Sequence, residues 1–389
     1  MKQKEFLAKT LKGLEEVLAT ELVNLGADNV EIQRRAVRFS GDKRLLYKAN
    51  LHLRTALRIL MPVAAFKAGT PDKIYEELRK LEWDQWMDVT NTFAIDSTVF
   101  SDDSKLQHSR FIEYRVKDAV VDFFRDKTGK RPSVNVEQPD FHFNIHVAGN
   151  QCTLSIDSSG ESLHKRGYRS NQTEAPISEV LAAGMLLMAG WDGQSDFLDP
   201  FCGSGTFLIE AALIALNIPP GLFRSSFAFE RWKDFDKDLF DELYQDDSAE
   251  REFQHFIYGS DFSGRALRIA EENIKSAGLT KYIRLNMISA AELSPPSDKC
   301  MIVTNPPYGE RLQSDDLFHL YRDFGTTLKH RFPGTPAWII SSQKELHFQI
   351  GLKPSRKIEL LNGALECLFC RYDIFSGKLN EMKKSKNNE

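Results

Sequence analysis

Two stretches of this sequence place reactive or ligand-binding residue types at spacings that could do chemistry. The first is Asp199-Pro-Phe-Cys-Gly203-Ser-Gly205-Thr206, an acid and two glycines between an apolar stretch and a helical pattern. Glycines at such places let the backbone turn sharply and approach a ligand. Leu208 stands where a dinucleotide fingerprint needs its third glycine, and no Lys-Ser/Thr pair closes the loop as in a P-loop. An acid without a base disfavours pyrophosphate and suits a ligand with a cationic end. S-adenosylmethionine has that form. Asp199 can face its ammonium, while turn amides and a helix N-terminus face its carboxylate. Pro200, Cys202, Gly203, Gly205 and Thr206 complete this candidate cradle, for which the plain alternative is a strand-to-helix turn.

Asp261, in Tyr258-Gly-Ser-Asp-Phe262, ends the next apolar strand, where a carboxylate suits ribose hydroxyls. The alternative is a helix N-cap by Asp261 or Ser263. The second stretch is Asn305-Pro-Pro-Tyr308, directly after the apolar run Cys300–Thr304. Prolines at a strand end stop pairing and stiffen the turn, so Pro306 belongs to the candidate catalytic set with Asn305 and Tyr308. An exocyclic amine on a base is a poor nucleophile because its lone pair is conjugated into the ring. The Asn305 oxygen and a backbone carbonyl can each accept one N–H, turning the lone pair toward a methyl donor. Tyr308 can stack on a base flipped out of its helix. Asn305 is also expected to border the cofactor. The alternative is a structural Pro-Pro turn.

These loops need a frame, and the pattern supplies one. From Ile177 onward, strands alternate with helices: Asp196–Asp199, Thr206–Leu216, Phe256–Asp261, Arg265–Ala277, Tyr282–Met287, Cys300–Thr304, Leu317–Arg331 and Ala337–Ser341. That alternation predicts a doubly wound, Rossmann-like α/β domain. Ile358–Leu360 and Leu365–Phe375 read as an antiparallel edge pair. Residues 217–255 interrupt the alternation. Trp232, Phe235, Leu239 and Leu243 recur there at helical spacing, which predicts an amphipathic insertion. Residues 1–160 read as two small α+β units. Val30–Ser40 is predicted as one strand, Thr70-Pro71 as a helix start, and Val134–Val136, Phe141–Val147 and Cys152–Asp157 as strands of an antiparallel sheet.

The chain has 389 residues, 42% of them hydrophobic and 27% charged, an ordinary globular composition. No apolar stretch approaches a membrane span, and the charged N-terminus is unlike a signal peptide. Five cysteines give no disulfide framework, so the expected location is the cytoplasm. The net charge of −4 divides into +3 over residues 1–170 and −7 over residues 171–389. A basic N-terminal part suits a polyanion. Candidate RNA contacts are Lys105, His108, Arg110 and Lys117, with acids interleaved. The denser cluster Lys165-Arg166-Gly-Tyr168-Arg169 reads as an RNA contact or an active-site rim, or else as packing between domains. Cys367-x-x-Cys370 lies in a strand pattern, where positions three apart face opposite ways, and predicts no metal site.

Taken together, the two loops resemble those of class I S-adenosylmethionine-dependent methyltransferases acting on amino nitrogens. Residues 4–376 resemble the THUMP-domain RNA guanine-N2 methyltransferase family, through both loops, Phe6-Leu-Ala-Lys-Thr-Leu-Lys-Gly-Leu-Glu-Glu16 and Leu163-His-Lys-Arg-Gly-Tyr-Arg169. The resemblance implies a ferredoxin-like domain over residues 1–60, a THUMP RNA-binding domain over 61–160, a methyltransferase domain over 161–378 and a disordered tail over 379–389. It implies methyl transfer to a guanine N2 amine, in 23S ribosomal RNA by likeness to the bacterial large-subunit branch. The alternatives are a tRNA guanine, an adenine N6, or a non-catalytic RNA-binding assembly protein. One departure stands out: Ser289 occupies the place where the family carries an Asp for the adenine amino group. Ser289, the Ala290 backbone or Glu292 would have to substitute.

Overall fold

The computed structural model describes residues 3–100, 106, 108–169, 176–308 and 314–375. Two compact units emerge, and they do not follow chain order. The first gathers residues 1–10, 18–165 and 224–246; the second gathers 11–17, 166–223 and 247–389. Lys105 and the tail from Ser376 onward lie outside the described residues. Among the described residues no helix is long and apolar enough to cross a membrane.

The first unit contains β1 (Lys4–Lys9), most of α1 (Glu15–Asn24), β2 (Asp28–Gln33), β3 (Ala36–Gly41), α2 (Lys43–His52), β4 (Arg58–Lys67), α3 (Pro71–Leu78), β5 (Thr92–Phe100), α4 (Ser109–Thr128), β6 (Ser133–Val134), β7 (Phe141–Ala148) and β8 (Gln151–Asp157). Its eight strands form one sheet, in the order β2-β3-β1-β4-β8-β7-β5-β6. The ten-residue β4 joins what the sequence suggested as two units: it pairs with β1 on one side and β8 on the other. Two expectations are corrected. Val30–Ser40 is a hairpin rather than one strand, turning through Arg35 at φ 56°, a left-handed position that no glycine or asparagine marks. The sheet over residues 133–157 is also not wholly antiparallel, since β5 pairs in parallel with both β6 and β7. Thr70 caps α3 ahead of Pro71 as expected, accepting from the Lys73 N–H.

The insertion joins this unit because its aromatic residues are buried there. Phe229 stacks on Tyr47 at 4.4 Å between ring centroids, and Phe240 meets the same ring edge-on. Its helix, Lys237–Gln245, starts only after Asp236. That side chain caps Leu239, leaving Trp232 and Phe235 in the preceding turns while Leu239 and Leu243 are buried.

The second unit carries α5 (Glu179–Ala189), β9 (Asp196–Asp199), α6 (Thr206–Ala215), then, beyond the insertion with its α7 (Lys237–Gln245), β10 (Ile257–Ser260), α8 (Gly264–Ser276), β11 (Ile283–Asn286), β12 (Cys300–Thr304), α9 (Ser314–Arg331), β13 (Pro336–Ser341), α10 (Lys344–Gln349), β14 (Arg356–Asn362) and β15 (Leu365–Asp373). Seven strands run in the order β11-β10-β9-β12-β13-β15-β14. The first five are parallel, and β15 runs antiparallel to both neighbours, so the edge pair is as expected. All ten residues of α6 are buried, which explains its apolar sequence on every face. Because β9 lies between β10 and β12, the winding reverses beside it. A crevice therefore opens at the carboxyl ends of β9 and β12, where both candidate loops begin.

Candidate active site

Asp199 is the last residue of β9 and is 1% exposed. Its Oδ1 accepts the Phe201 N–H at 3.1 Å and the Thr304 hydroxyl at 2.6 Å. Burial pushes its carboxyl up to about 7, against the pull of those two hydrogen bonds and with Asp261 adding repulsion. The loop then folds on its own backbone. Cys202 N donates to Ser260 O at 2.9 Å, and Gly205 N donates to Cys202 O at 2.8 Å. Gly203 and Gly205 both have positive φ, 52° and 83°. Gly205 is the N-cap of α6 and supplies no capping side chain, so the first turn of that helix keeps N–H groups for a ligand. Beneath the loop, a Cβ on Gly259 would lie 2.3 Å from Leu208 Cδ1 and 3.2 Å from Cys202 Sγ, so only glycine lets β10 pass. Pro200 and Cys202 are buried in the loop's rear, and burial pushes the Cys202 thiol well up.

Asp261 spans two elements. Its Oδ2 accepts the Gly203 N–H at 3.1 Å and its Oδ1 accepts the Ser263 N–H at 2.8 Å, while Ser263 caps α8. The capping role thus falls to Ser263, and the half-buried carboxylate keeps lone pairs for further donors. Ser289 Oγ is turned to its own loop, accepting from Ala291 N at 3.3 Å, and the Ala290 side chain is buried in a core cluster with Leu293, Phe324 and Leu328. Two residues outside the sequence-based set stand out here. Phe262 and Met287, just beyond the ends of β10 and β11, are 68% and 72% exposed. The available signal was a large apolar residue immediately after each strand, where the crevice opens.

Asn305 follows β12. Its Oδ1 is buried and has no hydrogen-bond partner among the described residues. Pro306 is buried behind it. Tyr308 is half-buried, its ring against a core cluster that includes Tyr321 and Cys370. Its hydroxyl accepts from Asn362 Nδ2 at 2.8 Å, and Cys367 Sγ approaches to 3.9 Å. Thr304, which sequence reasoning passed over, ties this loop to Asp199.

The dense basic cluster is corrected in part. Arg166 and Tyr168 are each 2% exposed, and both reach Glu210 of α6: Arg166 Nε at 3.3 Å and the Tyr168 hydroxyl at 3.0 Å. Arg169 Nε pairs with Glu179 at 3.0 Å, and its Nη2 donates to Thr206 Oγ1 at 2.8 Å. These three side chains brace α5 and α6 from inside the second unit, the packing alternative rather than an exposed basic face. Thr206 likewise has its hydroxyl turned to Arg169. Lys165 differs: it is exposed and pairs with Glu161, at 2.5 Å. On α4, Arg110 is exposed, and Lys117 lies beside Asp118 at 3.5 Å and 5.4 Å from the Tyr114 ring centroid. Phe111 and Tyr114 are exposed between them, aromatics the charge pattern alone did not single out.

Comparison with known proteins meets this geometry. Residues 166–371 match the family described as RMKL-like, methyltransferase domain; residues 68–157 match the THUMP domain; residues 5–60 match the RlmL ferredoxin-like domain. A Synechocystis sp. protein, "Putative RNA methyltransferase slr0064", is 40% identical over 95% of this chain and 97% of its own length. "Ribosomal RNA large subunit methyltransferase K/L" of Syntrophotalea carbinolica is also 40% identical over 95% of this chain, but this chain spans only 53% of that protein. The crystal structure of "SMU.472, a putative methyltransferase complexed with SAH" superposes with a TM-score of 0.86 at 32% identity, covering 97% of this chain and all of that one. The chain is therefore a member of the RMKL-like methyltransferase family, an S-adenosylmethionine-dependent enzyme that carries a THUMP domain and an RlmL ferredoxin-like domain ahead of its methyltransferase domain.

Proposed function

We propose that this enzyme methylates the exocyclic N2 amine of a guanine in large-subunit ribosomal RNA. The observation that carries the reading is the buried Oδ1 of Asn305, which has no hydrogen-bond partner among the described residues, at the crevice between β9 and β12. A buried acceptor left unpaired costs free energy, and a substrate N–H supplies what it lacks. Ribosomal RNA is favoured by the large-subunit relative, which this chain matches along about half of that protein's length.

The residues present fit the cofactor. Asp199 sets a negative charge behind the loop, suited to an ammonium. The uncapped first turn of α6 suits a carboxylate, the free lone pairs of Asp261 suit ribose hydroxyls, and Phe262 with Met287 suits the faces of an adenine in place of the missing acid. When bound, S-adenosylmethionine supplies an electrophilic methyl group on a sulfonium. The chain's own work lies on the acceptor side. Asn305 Oδ1 accepts one N–H of the amine, which turns the nitrogen lone pair out of conjugation and stabilises the positive charge that grows on it. Pro306 holds that side chain in place, and Tyr308 stacks on the extruded base. The first unit binds RNA, with Arg110, Lys117 and Lys165 on phosphates.

The test is transfer of labelled methyl from S-adenosylmethionine to ribosomal RNA from a strain lacking this protein, followed by nucleoside mass spectrometry. The expected product is N2-methylguanosine in large-subunit RNA. Label in N6-methyladenosine, in tRNA alone, or in no RNA would overturn the proposal.

A further inference from the structure

We propose that Asn362 is a positioning residue for the target base, acting through Tyr308; this rests on the base-stacking role proposed above for Tyr308. Asn362 ends β14, at the turn of the hairpin whose other arm is β15. It pairs across the turn with Leu365, with Gly363 between them at φ 63°. From this fixed corner its Nδ2 donates to the Tyr308 hydroxyl at 2.8 Å. The Cys367 thiol, on the facing strand, lies 3.9 Å from the same oxygen.

The arrangement answers a mechanical problem. Tyr308 sits in a loop beyond the end of β12 and belongs to no strand or helix. A ring used as a stacking platform must keep one plane, and its own backbone does little to hold that plane. The aromatic body is gripped by packing on the core cluster, and the hydroxyl is gripped by the hairpin, so the ring is fixed at both ends. The hairpin is the part of the sheet added beyond the parallel strands, paired to β13 through β15. Its tip thereby takes part in defining where a flipped base can lie.

The experiment is a double-mutant cycle read by single-turnover methyl transfer at saturating ribosomal RNA and cofactor. Asn362→Leu and Tyr308→Phe should each slow transfer by about three- to tenfold, the scale of one net hydrogen bond. The double variant should be no slower than the worse single variant, because both remove the same bond. Asn362→Asp should keep most of the rate, since the phenol can then donate to the carboxylate. RNA affinity and cofactor affinity should be unchanged in all four variants. Additive losses in the double variant, or a wild-type rate in Asn362→Leu, would overturn the inference. If Asn362→Leu unfolds the hairpin, a loss of thermal stability identifies it, and Tyr308→Phe against Tyr308→Ala then carries the test: equal rates for wild type and Tyr308→Phe would overturn it. A wild-type rate in Tyr308→Ala would instead sink the stacking role itself.

Discussion

Thr304 donates its hydroxyl to Asp199 Oδ1 at 2.6 Å, across neighbouring strands β12 and β9. Both residues are buried, and each is the last of its strand. The acid of the glycine loop is thereby bonded to the residue just before Asn305, so the donor loop and the acceptor loop are held as one piece. Thr304→Val removes the hydroxyl and little else. A hydrogen bond to a charged group is worth about 1.5–3 kcal/mol, so cofactor affinity should fall by roughly ten- to 150-fold. Calorimetry on the purified chain measures it, and an unchanged affinity would show that the bond is incidental.

The pH dependence follows from Asp199. Its carboxyl is raised to about 7, chiefly by burial. A raised carboxyl in the folded state means that this group's contribution to stability is fully present below ~4 and is lost as pH rises through about 7. Binding a cation reverses the preference, because the ammonium favours the ionised acid. Cofactor affinity should therefore rise by up to about tenfold per pH unit on approaching 7 from the acid side, then level off. Asp199→Asn should bind weakly and without that acidic limb. The assignment is wrong if the limb survives in the Asn variant.

The frame was largely legible because alternation of strand and helix patterns from Ile177 onward has few other solutions, and the strand ends then place Asp199, Asp261 and Asn305 on one side. The cluster around Tyr168 stayed open between RNA contact and packing for a definite reason. Sequence shows Arg166 and Arg169 as charges but not the acids that neutralise them, Glu210 and Glu179, which arrive from helices beyond the loop. An acid inside an otherwise apolar helix, as Glu210 is in α6, was the clue that a buried base must meet it. Asn362 was beyond reach for a different reason. Its role depends on the register of β14 against β15, which only the folded hairpin defines.

Arg166 is accordingly expected to matter for folding rather than for RNA. Its side chain and that of Glu210 are 2% and 0% exposed. Arg166→Gln leaves Glu210 buried without its counter-charge, a loss on the scale of ~3–5 kcal/mol. Denaturant unfolding should show that loss. The salt dependence of RNA binding should keep its wild-type slope, whereas Lys165→Gln or Arg110→Gln should flatten it, by roughly 0.7 for each single-strand phosphate that is no longer neutralised. A flattened slope in a folded Arg166→Gln protein would return that residue to the RNA interface.

Asn305 separates chemistry from binding and from folding. In the free enzyme its Oδ1 is a buried acceptor without a partner among the described residues, so removing it relieves a cost rather than adding one. Asn305→Ala should therefore unfold at the wild-type denaturant midpoint or slightly above it. RNA affinity should also hold, because phosphate contacts elsewhere supply most of it. The rate should not hold. The hydrogen bond from the amine strengthens as its nitrogen becomes cationic, and losing one preorganised group of this kind costs ~10²–10³ in rate. Single-turnover kinetics at saturating RNA and cofactor isolate that step. Asn305→Asp still offers an acceptor at the same place and should retain more activity than the alanine variant. If Asn305→Ala transfers methyl groups at close to the wild-type rate, the unpartnered oxygen is an accident of packing and the amine is activated by some other group.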